Sequence, residues 1–100
     1  MSPKNKKKLN LQRKKLDNLD KKLLNIIKIR TNIIKKVISL KNNKKEIVDK
    51  KRISYILRKI KKLSIKKKID PTLTNAIWKN MIWSYIDFER KAFKKNNYLL

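Results

Sequence analysis

The stretch LNLQRKKLDNLDKKLLNIIKIRTNIIKKVISLKN, residues 9–42, decides the fold. It contains neither Gly nor Pro. Leu9, Leu16, Leu19, Leu23, Ile26, Ile27, Ile33, Ile34, Val37 and Leu40 recur at helical spacing, one apolar stripe along a polar rod. About 33 helical residues span roughly 50 Å at ~1.5 Å per residue. A chain of 100 residues cannot bury such a rod within itself. The sequence therefore predicts an all-α fold in which the long helix lies along a partner, an intertwined helical dimer.

Working outward, residues 1–8 are basic and include Pro3, and read as a flexible tail before a single helical domain over residues 9–95. Asn42-Asn43-Lys44-Lys45 is a polar break with turn-forming residues. Asp49 is a good N-cap for a second helix, whose stripe is Ile53, Ile56, Leu57, Ile60 and Leu63. The run Lys66-Lys67-Lys68 ends it. Asp70-Pro71 then marks a third helix start, with Asp70 as cap and Pro71 in the first turn. That helix carries Leu73, Ile77, Trp78, Met81, Ile82, Tyr85, Ile86 and Phe88 to about Lys94. The expected order is three helices: long, medium, long.

Composition removes whole classes of chemistry. With no Cys and no His, thiolate and histidine metal sites, Ser-His triads and histidine bases are excluded. With no Gly, phosphate-cradling loops and dinucleotide fingerprints are excluded. No metal and no cofactor are expected. No apolar run approaches the ~20 residues of a membrane span, and no apolar segment follows the basic start as in a secretory signal. A cytoplasmic protein is expected.

The net charge is +24. Charge of that size attracts polyanions and anionic substrates. Yet Lys, Ile and Asn, whose codons are A/T-rich, make up 52 of the 100 residues. Codon bias alone can load solvent-facing positions with lysine, so the lysine runs read as solvated faces.

Only five of the 31 cations are arginine: Arg13, Arg30, Arg52, Arg58 and Arg90. Arginine offers a carboxylate a rigid two-pronged fork. On a continuous helix Arg30 and Lys41, 11 residues apart, share a face about 16 Å apart. Arg13 faces another way and reaches such a site only from a second, antiparallel chain. Asp49 and Arg52 are three apart, and Tyr85 and Glu89 four apart, so each pair shares a helix surface. A Glu in a stripe of Trp, Met and Tyr is expected to be partly buried. Taken singly, each residue has a plainer role: surface arginine, helix cap, core aromatic.

The ordered set resembles the all-helical chorismate mutases over about residues 9–93. The first helix of that family carries an Arg, an LD-x-x-LL segment, then an Arg and a Lys. Here Arg13 precedes Leu16-Asp17-Asn18-Leu19-Asp20-Lys21-Lys22-Leu23-Leu24, followed by Arg30 and Lys41. Ile47-Val48-Asp49-Lys50-Lys51-Arg52 is similar to the second-helix V-x-D-x-x-R segment, and Asp70-Pro71 through Ile82 to the last helix.

The resemblance implies a homodimer with two sites built from both chains, acting as an isomerase that converts chorismate to prephenate in phenylalanine and tyrosine biosynthesis. It implies that Arg13 of one chain and Arg30 of the other hold the two carboxylates. Lys41 and Glu89 face the ether oxygen, Asp49 and Arg52 lie near the hydroxyl and carboxylate ends, and Tyr85 falls where some members have Ser. The rearrangement is intramolecular and requires no nucleophile, base or metal, in keeping with a chain that lacks His and Cys. An ionised carboxylate only accepts hydrogen bonds, so Glu89 donates only when protonated.

One position departs. The residue after Arg52 is often Glu in the family, and here it is Ile53. The related isochorismate-pyruvate lyases share the fold and the cations and can lack that Glu, so a lyase is the alternative enzyme. A basic helical nucleic-acid-binding protein is the alternative outside enzymes. No zinc finger, glycine-marked helix-turn-helix or aromatic RNA-binding sheet is present, so nucleic acid is expected to bind only through nonspecific charge attraction. No membrane partner is expected.

Overall fold

In a computed structural model the chain is all helical, with no strand among the described residues. The structure describes residues 1–99, and the side chains of residues 1–93. Helix α1 spans Pro3–Ser39, a 3-10 turn spans Lys44–Glu46, α2 spans Lys50–Lys66 and α3 spans Pro71–Leu99. Long, medium and long helices follow in the expected order. The chain divides into two compact units, Met1–Lys36 and Val37–Leu100.

Helix α1 starts six residues before the apolar pattern does, so residues 3–8, expected in a flexible tail, are helical. Ser2 supplies the reason. Its Oγ accepts from Asn5 N at 3.1 Å and its carbonyl accepts from Lys6 N at 2.9 Å. Pro3 takes the first helical position, where a missing N–H costs nothing. At the other end the helix stops at Ser39, short of Asn42. Its last turn tightens, with Leu40 N bonded to Val37 O and Lys41 N to Ile38 O, both at 3.1 Å.

Within Met1–Lys36 no residue is buried. Leu16, Leu19, Leu23, Ile26 and Ile33 of the apolar stripe are each more than half exposed. The stripe that predicts the helix finds no cover within this unit of a single chain.

The second unit has a core of Ile38, Ile47, Ile86 and Phe93. The polar break forms a built turn. Glu46 accepts from Asn42 N at 3.1 Å, and Asn43 Oδ1 accepts from Lys45 N at 3.0 Å. Asp49 caps α2, its Oδ1 accepting from Arg52 N at 3.0 Å.

The other end of α2 is closed by paired bonds, Lys68 N to Ile65 O at 3.1 Å and Ile69 N to Ser64 O at 2.9 Å. This closure needs one left-handed residue, ordinarily Gly. The chain has no Gly, and Lys68 takes the position with φ 59°. Asp70 then caps α3, accepting from Thr72 N at 2.9 Å. Helix α2 packs on α3. Near the corner between them the buried hydroxyls of Ser64 and Thr74 lie 2.7 Å apart, and Ser64 Oγ also donates to Ile60 O at 2.6 Å.

Candidate functional site

The two residues expected at the ether oxygen, Lys41 and Glu89, meet in the second unit. Lys41 Nζ lies 3.6 Å from Glu89 Oε2, with 18% and 10% of the two side chains exposed. Local sequence explains both positions. Lys41 is held by the tightened turn that closes α1, three residues after buried Ile38. Glu89 falls between Ile86 and Phe93, at i+3 and i−4, so the apolar face of α3 carries it inward. The expectation of a partly buried Glu is met: Glu89 is buried. The separation exceeds a hydrogen bond, so the contact is an ion pair. Shielding from water strengthens it over a surface pair.

The remaining expected residues are distributed differently. Asp49 is exposed and spends one carboxylate oxygen on the cap of α2. Arg52 is exposed, and its guanidinium lies 5.2 Å from the centre of the Tyr55 ring. Ile53 is half-buried. Tyr85, one turn before Glu89, is half-buried with its ring edge-on to Phe88 at 6.4 Å. In the first unit Arg13 is exposed, while Arg30 is half-buried with its Nε out of solvent. Because α1 ends at Ser39, the helical arithmetic that puts Arg30 and Lys41 on one face does not extend to Lys41.

Sequence reasoning passed over Ser64 and Thr74. The signal for Ser64 is present: it continues the stripe Ile53, Ile56, Ile60 at four-residue spacing, a hydroxyl at a core position. Thr74 stands four residues after a helix cap, where a hydroxyl carries no such mark.

Chemically the pair offers an ammonium with three N–H donors beside a carboxyl group. Such a combination can meet negative charge developing on an oxygen. Among the described residues no group of His, Cys, Asp and Glu is arranged to hold a metal, and no helix is long and apolar enough to cross a membrane.

Against known proteins, no curated sequence and no solved structure matches the chain. One family model does, over residues 12–90, and its description is chorismate mutase type II.

Proposed function

The chain belongs to the type II chorismate mutase family, and on that premise we propose that it isomerises chorismate to prephenate, serving phenylalanine and tyrosine biosynthesis. The observation that supports the reading is the shielded Lys41–Glu89 pair, which sets side by side the two groups that the resemblance assigns to the ether oxygen.

The reaction breaks one ether C–O bond and forms one C–C bond within a single molecule. Rate enhancement then has two sources. Cationic forks hold the side chain over the ring in the compact, reactive conformer. Preplaced donors meet the charge that grows on the ether oxygen as its bond lengthens. Arg30 of one chain and Arg13 of the partner subunit are the forks on the two carboxylates. Asp49 and Arg52 lie near the hydroxyl and carboxylate ends, and Tyr85 lines the same site. Lys41 donates throughout, and Glu89 donates in its protonated form.

The assignment of Arg13 across subunits rests on a homodimer. Exposure of the apolar stripe of α1 supports one. Leu16, Leu19, Leu23, Ile26 and Ile33 share one face of the helix, each more than half exposed, and form an apolar surface that soluble monomers rarely present.

A second reading is isochorismate-pyruvate lyase, favoured by one residue: Ile53 replaces the usual Glu. Incubation of the purified protein with chorismate and, separately, with isochorismate decides between them. Prephenate from chorismate establishes the mutase. Pyruvate from isochorismate with little prephenate assigns the lyase, and turnover of neither removes both.

A further inference from the structure

The cations of this chain are sorted, not evenly spread. Residues 50–68 hold ten cations and no acid, and all ten side chains are exposed. Among the described residues none of the ten makes an ion pair. Residues 69–89 hold one cation, Lys79, against Asp70, Asp87 and Glu89, although Thr72, Leu73, Ala76, Ile77, Asn80, Trp83 and Ser84 are exposed there. Codon bias loads exposed positions without regard to helix, so it does not account for this contrast.

Helical geometry sharpens the pattern. At ~100° per residue, Lys51, Arg52, Arg58, Lys59, Lys62 and Lys66 fall within a sector of about 120°. Ile53, Ile56, Leu57 and Ile60, half-buried, occupy the opposite side, so the basic sector is the outer face of α2. Arg58, Lys62 and Lys66 step along it at about 6 Å. In the middle stands one aromatic, Tyr55, 46% exposed, with Arg52 at 5.2 Å and Lys59 at 5.9 Å from its ring centre.

We propose that the outer face of α2 binds single-stranded nucleic acid, its cationic ridge following the phosphates while a base stacks on Tyr55. A positive track with an exposed aromatic is the general means of holding single strands without sequence preference. A lipid surface fits less well. A helix lying in a membrane interface inserts its apolar face, and the apolar stripe of α2 is turned inward. Arg52 belongs to both this surface and the isomerase reading; the rest of the ridge, Lys51, Arg58, Lys59, Lys62 and Lys66 with Tyr55, lies outside that reading and does not require it to hold.

The test is fluorescence anisotropy of a labelled 20-nucleotide single-stranded RNA with the full chain across a salt series. Two variants lower the +24 charge equally, by four. One changes Lys51, Arg58, Lys62 and Lys66 to Gln on the ridge. The other changes Lys6, Lys7, Lys8 and Lys15 to Gln on α1. Arg52, used in the site reading, is left intact. The ridge variant is expected to weaken binding ten-fold or more and to flatten the salt slope by about 0.7 for each phosphate no longer neutralised. The α1 variant should change affinity less than about three-fold. Tyr55→Leu is expected to weaken binding about ten-fold, from the loss of one stacked base.

Equal losses in the two charge variants would reduce the effect to net charge and overturn the proposal. So would tighter binding of duplex than of single strand, or binding to phosphatidylserine vesicles without binding to the RNA. Circular dichroism confirms that each variant remains helical; all the altered side chains are exposed, so the fold does not depend on them.

Discussion

Replacing Lys41 with Met separates what the ion pair does for the fold from what it does for catalysis. The charges of Lys41 and Glu89 lie about 4 Å apart, and an effective dielectric of ~20 gives an attraction of about 4 kcal/mol. Desolvation of two groups that are mostly shielded offsets much of this, leaving a net of roughly 1–2 kcal/mol. Lys41→Met keeps the packing of the stem but leaves a buried carboxylate without its cation, a loss of about 1–3 kcal/mol. Glu89→Gln keeps shape and burial and is expected to change stability by less than about 1 kcal/mol. In the double variant the two changes should not add: stability returns toward wild type by about 1–2 kcal/mol.

Catalysis follows a different rule. On the proposed mechanism Lys41→Met removes a donor to the ether oxygen and should lower kcat by about 10²–10³, and the double variant should recover none of it. Glu89→Gln keeps a hydrogen-bond donor at the same position and should retain turnover. Urea denaturation and prephenate formation measure the two effects on the same samples. If the stabilities simply add, and Lys41→Met retains more than a tenth of the rate, the pair is neither a structural nor a catalytic unit.

Three further outcomes are expected. Lys68→Gly relieves a left-handed non-glycine residue and should raise stability by about 0.5–1 kcal/mol, read from the urea midpoint. Ser64→Ala removes the hydroxyl that joins α2 to Thr74 and should cost about 1–2 kcal/mol by the same assay. Leu19→Glu with Leu23→Glu places charge on the exposed stripe of α1 and should shift the sedimenting species from dimer to monomer. An unchanged mass would remove that stripe from any subunit interface.

The helices were legible because their marks are local. Uninterrupted apolar spacing, Asp49 as a cap and Asp70-Pro71 as a start each act within one turn, and the structure uses all three. The early start of α1 was missed because a Ser cap followed by Pro within lysines resembles a tail. The left-handed Lys68 was illegible, since the residue that normally marks such a turn is absent from the chain. At the site, Glu89 was legible as a carboxylate within an apolar stripe. Its meeting with Lys41 was not, because it depends on where α1 stops and how α3 is placed. Asp49 and Arg52 carry helix capping and ring contact as well as any duty to substrate, and spacing cannot rank such duties.

The hydroxyl pair at the corner between α2 and α3 has a leverage that its size conceals. Thr74 is one of the contacts that set the roll of α3 about its own axis, and Glu89 stands 15 residues, about 22 Å, further along the same helix. Side-chain atoms ride about 6 Å from that axis, so an angular error of about ten degrees at the corner swings the Glu89 carboxyl by about 1 Å. A displacement of that size is enough to cost about a hundred-fold in rate. Variation at Ser64 or Thr74 would thus present as impaired turnover in a protein whose reacting groups are all intact.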